Sequence, residues 1–128
     1  MLSALMSMFE LSDDVAVVIG ATGALGGACA TAMAEAGAKI AVLGRNAERG
    51  EKCVKTITES SGNAQFFSCD AMDPDSLKSC HEAINNALGS PTILLNAAGG
   101  NDPDATVTPD KSFEDIPLPA WSKVFDLN

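Results

Sequence analysis

The chain has 128 residues, enough for one modest domain built on a single core. It is 46% hydrophobic and 20% charged, the profile of an ordinary globular protein rather than a disordered one. A formal net charge of −9 gives nucleic-acid binding no electrostatic support, and no apolar run approaches the ~18 residues that a membrane span needs.

The start, Met1 to Met8, is mildly apolar, without the basic region or the apolar length of a signal peptide. It reads as a disordered lead-in over residues 1–8, followed by one domain over residues 9–128. Cys29, Cys53, Cys69 and Cys80 are scattered, with no C-x-x-C pair. Each has apolar neighbours, so buried free thiols in a reducing cytoplasm are expected, with no disulfide and no metal. His81, the one histidine, flanks an apolar helical stripe and suits a surface or packing role.

Ser12-Asp13-Asp14 marks a turn, and Val15 to Ile19 is then an unbroken apolar, largely β-branched run, the mark of a strand buried on both faces. Gly20-Ala21-Thr22-Gly23-Ala24-Leu25-Gly26 follows and opens a helix of small residues that ends near Gly37. Lys39 to Leu43 predicts a second strand. Asn46 is placed to cap a helix over Ala47 to Glu59, with Ala47, Gly50, Val54 and Ile57 on one face. Glu48 with Lys52 and Glu51 with Lys55 have the favourable i,i+4 order on its wet side. A third strand is expected from Ala64 to Cys69. Asp73-Pro74 is a helix start, Leu77, Cys80, Ile84 and Leu88 make one face, and Gly89 is the stop. Pro91 to Leu95 predicts a fourth strand. From Asn101 to Pro119 four prolines and five acids remove all periodicity, and Ala120 to Asn128 restores a helical stripe of Trp121, Val124, Phe125 and Asn128. The order β-α-β-α-β-α-β plus the start of a next helix, with short links, means an α/β protein with a parallel, helix-flanked sheet.

In such a sheet ligands sit at the carboxyl ends of the strands, and the polar and glycine signals fall there. Gly20 permits a sharp turn, Gly23 leaves room for a phosphate against the main chain, and Gly26 lets the helix pack tightly. Thr22, Ala24 and Leu25 complete this turn, whose amides at a helix N-terminus form an anion site. At the end of the second strand an NAD-selective site carries an acid. Gly44 stands there instead, followed by Arg45 and Asn46. Room for a 2′-phosphate and a guanidinium to pair with it favour NADP(H) over NAD(H); the alternative for Arg45 is a solvated loop charge. Asp70, followed by Ala71, either accepts from the adenine amino group or serves as a helix-start carboxylate, and spacing leaves both open. Asn96, ahead of Ala97, Ala98 and Gly99, equally suits a strand-end turn. Asn128 shares a face with Trp121, Val124 and Phe125, which would draw its amide inward to a hydrogen-bonding partner; exposure at a frayed terminus is the alternative.

Ile19 to Gly26, Asp70, Asn96-Ala97-Ala98-Gly99 and Val124 to Asn128, taken together, resemble the short-chain dehydrogenase/reductase family over about Phe9 to Asn128. Ile19, Ala24 and Ala97 depart from its usual threonine, glycine and asparagine. The resemblance implies a Rossmann-type doubly wound parallel sheet. It also implies nicotinamide cofactor bound by the residues above and hydride exchange with a small carbonyl/alcohol substrate. A homo-oligomer is implied for the intact protein. Gly44-Arg45-Asn46, Ala97 to Asn101 and Phe125 to Asn128 resemble, within the family, the D-mannonate oxidoreductase (fructuronate reductase) type, which implies a sugar-acid substrate. Family catalysis uses an asparagine, a serine, a tyrosine and a lysine, the tyrosine being the acid/base. Asn128 matches the asparagine, and the chain has no tyrosine. An amino-terminal half that binds cofactor without turnover is therefore expected, with one side of the fourth strand uncovered. A non-catalytic dinucleotide-binding or regulatory module, or an extended epimerase-like relative, is the alternative.

Overall fold

The structure is a computed structural model, and it describes residues 7–128. Most of the expected lead-in lies outside those residues; Met8 and Phe9, which are described, are exposed. The order is β1 (Val15–Ile19), α1 (Ala24–Glu35), β2 (Lys39–Gly44), α2 (Ala47–Glu59), β3 (Asn63–Ser68), α3 (Pro74–Ala87), β4 (Ile93–Asn96) and α4 (Leu118–Leu127). Two 3-10 turns, Pro103–Ala105 and Phe113–Asp115, precede α4. Residues up to Ala97 form one compact unit, and residues from Ala98 form a second.

In the first unit four parallel strands lie in the order β3-β2-β1-β4. Successive side chains of a strand point to opposite faces, so an all-apolar strand feeds two cores at once. On one face Ala16, Val18, Ile40 and Val42 pack with Ala30 and Ala34 of α1 and Ile57 of α2. On the other, Val15, Val17, Leu43 and Phe67 pack with Cys80 and Ile84 of α3 and with Leu88. The sheet is thus wound on both sides.

Each helix has a local reason. Asn46 accepts from the Arg49 amide at 2.9 Å and Asp73 from the Asp75 amide at 3.0 Å, both as N-caps. Pro74 occupies the first turn of α3, where its missing N–H costs nothing. Gly37 and Gly89, at φ +105° and +106°, turn the chain out of α1 and α3 in the left-handed region. On α2 the close neighbour is an aromatic ring: a Cβ on Gly50 would stand 2.8 Å from Cγ of Phe66 and closer still to the ring edge.

Several expectations need correction. Cys69 and Cys80 are buried, but Cys29 is exposed and Cys53 only half-buried. The sheet side of α1 is taken by Gly26, Ala30 and Ala34, which leaves Cys29 on the wet side. Ala47 is exposed at the first turn of α2, outside its buried stripe of Gly50 and Ile57. The ion pair on α2 joins Lys55 to Glu59 at 3.8 Å, not Glu48 to Lys52 or Glu51 to Lys55. At an exposed helix surface these pairings differ by too little for the sequence to choose among them. β3 starts at Asn63 because its ladder opens opposite Lys39. β4 starts at Ile93, since Pro91 has no N–H for the ladder. α4 begins at Leu118, with Pro119 accommodated in its first turn. Among the described residues β4 pairs with β1 alone, and Leu94 on it is 67% exposed.

Ile57 is among the largest fully buried side chains. Ile57→Ala should lower unfolding free energy by about 2–5 kcal/mol, read from the urea midpoint at constant m-value.

Candidate functional site

The parallel register brings the strand tips level. Ile19 lies opposite Leu43 on one side and Asn96 on the other, and Gly44 lies opposite Ser68. Gly20, Gly44, Asp70 and Asn96, separated by up to 76 positions in sequence, are therefore carried to one edge of the first unit. Strand order reverses between β1 and β4, the kind of switch point at which open α/β sheets take their ligands.

Gly20 turns off β1 with φ +81°, a conformation that L side chains avoid. Its amide stays tied to the Leu43 carbonyl at 3.2 Å while its carbonyl accepts from the Gly23 amide at 3.0 Å. A Cβ on Gly26 would lie 2.8 Å from the Gly20 carbonyl carbon, 3.1 Å from Ala21 Cα, and within contact of the Gly20 oxygen. Main chain thus touches main chain where α1 enters. Gly23 is the N-cap of α1 and offers no side chain to its first amides, and no acid stands in that first turn. Gly23, Ala24 and Leu25 are exposed. An uncapped, exposed helix start with no carboxylate before it fits a bound phosphate, as the glycine spacing predicts.

At the tip of β2, Gly44 is half-buried against Thr22: a Cβ there would come within 2.7 Å of the threonine Cγ2. Arg45 is exposed and has no ionic partner among the described residues. Asn46 spends its side-chain oxygen on capping α2. At the tip of β3, the Asp70 amide donates to Ser76 Oγ at 3.0 Å and one Asp70 carboxylate oxygen accepts from the Met72 amide at 3.0 Å. The cap of α3 is Asp73, so Asp70 is not the helix-start carboxylate that the spacing left open. Ala71 beside it is half-buried. Asn96 closes β4 opposite Ile19, and the Ala97 amide donates to the Ile19 carbonyl at 2.9 Å.

The second unit contains Ala98, Gly99 and Asn128. Asn128 is exposed, the second of the two positions left open for it. The stripe of α4 is an aromatic cluster: Trp121 stacks on Phe125 at 5.5 Å and meets Phe113 edge-on at 5.4 Å. The Asn128 amide is nevertheless fully engaged. Its Oδ1 accepts from the Gly100 amide at 3.1 Å, and its Nδ2 donates to the Gly100 carbonyl at 2.9 Å and the Val124 carbonyl at 2.8 Å. A Cβ on Gly99 would stand 2.7 Å from that same Oδ1. Asn128 therefore fixes the backbone of the Gly99-Gly100 segment.

One pair escaped sequence reading. Asp102, 8% exposed, accepts from Lys123 Nζ at 2.6 Å and from the Asp104 amide at 2.9 Å. The hydrogen bonds from Lys123 and the Asp104 amide hold its carboxyl below the ordinary 3.8, and Lys123 is raised above 10.5 by the same contact. Five acids in an irregular stretch look alike in sequence. The signal was Asp102-Pro103, an Asx-Pro helix start like Asp73-Pro74. His81 is exposed beside the Asn85 amide, on the surface as expected.

A parallel sheet wound on both faces, with a glycine-closed turn at the tip of its first strand, defines a Rossmann-type α/β protein. The chain belongs to the short chain dehydrogenase family, whose pattern it matches over residues 14–128. It is 39% identical over 106 residues to the uncharacterized Bacillus subtilis oxidoreductase UxuB, covering 83% of this chain and 38% of that protein. It is 31% identical over 121 residues to a 3β-hydroxysteroid dehydrogenase of Mediterraneibacter gnavus, covering 94% and 42%. Among solved structures it is similar to a Haemophilus influenza protein assigned as a D-mannonate oxidoreductase with bound NAD, at TM-score 0.87 and 27% identity, covering 96% and 48%. The chain thus spans less than half the length of each of these proteins. No helix among the described residues is long and apolar enough to cross a membrane.

Gly26→Ala should cost about 1–3 kcal/mol, because the new methyl meets main chain that cannot rotate away; chemical denaturation checks it. The Asp102 carboxyl is depressed on folding, so its contribution is complete above its unfolded value and is lost as pH falls through the lower folded one. Protection of the Asp104 amide from hydrogen exchange should accordingly hold at neutral pH and fade below about pH 4. In Asp102→Asn this fading should be absent.

Proposed function

We propose that the chain is the coenzyme-binding part of an NADP(H)-preferring short-chain dehydrogenase/reductase that exchanges a hydride between nicotinamide and a small carbonyl/alcohol substrate. The observation that carries this reading is the turn from Gly20 to Gly26, closed against main chain and open at the helix start, at the tip of the central strand β1. In it the pyrophosphate lies on the amides following Gly23, with Thr22, Ala24 and Leu25 around it. Asp70 has a carboxylate oxygen beyond the one bound to Met72 with which to accept from the adenine amino group, and Ala71 lies beside the ring. Asn96, Ala97, Ala98 and Gly99 follow the nicotinamide ribose. The coenzyme, when bound, supplies or receives the hydride.

Coenzyme choice is assigned at the tip of β2. No carboxylate occupies Gly44 to hold a ribose diol, and the exposed, unpaired Arg45 guanidinium is free to meet a 2′-phosphate bidentately. Asn46 acts indirectly by capping α2 and so fixing the loop that presents Arg45. Asn128 is a positioning residue that shapes the Gly99-Gly100 backbone. A sugar acid of the fructuronate/mannonate kind is the proposed substrate. It rests on likeness to UxuB and to the D-mannonate oxidoreductase, and the NAD bound to the latter is the competing coenzyme choice. The protein acts in the cytoplasm, as a homo-oligomer.

Because the chain has no tyrosine to serve as acid/base, it should bind NADPH without turning over any alcohol or ketone. Fluorescence titration with NADPH and NADH tests the first statement and a coupled absorbance assay the second. Arg45→Ala should weaken NADPH about tenfold and leave NADH unchanged. Failure of the wild-type chain to take up either coenzyme would overturn the proposal.

A further inference from the structure

Beside the glycine turn, α1 and α2 enclose a groove of about 490 Å³ whose wall includes Thr22, Gly23 and Ala24 on one side and Arg49 and Lys52 on the other. Its charge is out of keeping with the chain. The sequence has 17 acids against 8 lysines and arginines, yet the groove is lined by two of those 8 and by no acid. Neither cation is neutralised: among the described residues the ion pairs are Lys55 with Glu59 and Lys123 with Asp102. Lys52 in particular forgoes the Glu48 pairing that its helical spacing offers and lines the groove instead.

The hydroxyls sort themselves as well. Thr31 and Thr56, also in the wall, donate back to the Gly27 and Lys52 carbonyls of their own helices, at 3.0 and 3.1 Å. Thr22 makes no such bond, and its half-buried side chain stands next to Gly44 at the tip of β2. The free donors of the groove are therefore the Thr22 hydroxyl, the Arg49 guanidinium and the Lys52 ammonium, and they lie on the β2 side of the phosphate turn. Arg45 does not line this groove.

We infer that this groove is the seat of the coenzyme's 2′-phosphate, gripped by Arg49 and Lys52 with Thr22, and that discrimination between NADPH and NADH extends well past Arg45. The inference rests on the NADP(H) reading above and gives it further residues. Two unpaired cations match a phosphate that is dianionic near neutral pH, and a charge-assisted hydrogen bond to each is the strong kind. An unphosphorylated ribose would leave both cations in water, so NADH gains nothing from them.

Titration of the full chain with NADPH and NADH tests this in Arg49→Gln, Lys52→Gln and the double variant, with Lys55→Gln as a control on the same helix but outside the groove. Thermal melts by circular dichroism accompany each titration. Each single variant should lower the NADPH/NADH affinity ratio about tenfold and the double variant about a hundredfold, with NADH affinity unchanged and the share of Arg45 retained. Lys55→Gln should leave the ratio as it is. If the double variant keeps the wild-type ratio while Arg45→Ala abolishes it, the groove is not the seat and the NADP(H) reading stands. A ratio lowered equally by Lys55→Gln would mean general attraction to a basic helix and would also overturn the inference. A wild-type chain that prefers NADH overturns both the groove and the coenzyme preference.

Discussion

The structure depends on a single close approach between two pieces of main chain. Where β1 gives way to α1, the Gly26 backbone lies against the carbonyl of Gly20 with no space for a β-carbon. This contact sets how near α1 comes to the sheet, and the small residues of α1 follow from it: Ala30 and Ala34 bury completely or nearly so because nothing larger fits at that distance. The same contact aims the first amides of α1 past the tip of the strand. The packing requirement and the open helix start are one arrangement of atoms.

The rest of the first unit holds that arrangement still. Strands apolar on both faces lock β1 between β2 and β4, in a register that brings their ends level. Helices α1 and α2 close one face and α3 closes part of the other. Burial therefore stabilises the part of each strand away from the polar tips, and the tips are left to turn chemistry: φ +81° at Gly20, an Asn cap at α2, an Asx turn at Asp70. In the second unit Asn128 and the Asp102–Lys123 pair do for irregular chain what ladders do for strands, supplying partners to backbone that has no regular ones.

Legibility in the sequence followed the strength of local signals. β1, the glycine turn, the Asn46 and Asp73 caps and the element order could all be read, because each rests on a short run whose chemistry admits few conformations. Strand ends slipped by one or two residues at β3 and β4, where pairing with a neighbour, not composition, decides the limit. The salt links were misread because pairings at an exposed helix surface differ too little for composition to choose: Lys55 takes Glu59, and Lys52 lines the groove. Asp102 was set apart from the other acids of its stretch only by the Pro103 that follows it, and its partner Lys123 lies 21 positions further on. Asn128 was traced to a backbone partner, and its exposed position was one of the two that the sequence left open.

Gly44 and Thr22 touch across the gap between two strand tips, although 22 positions separate them in the chain. A side chain at one position must reckon with the methyl at the other, so an aspartate installed at 44 is obstructed until residue 22 shrinks or swings aside. Positions 22 and 44 are therefore coupled, and the room at one depends on the rotamer and size of the other.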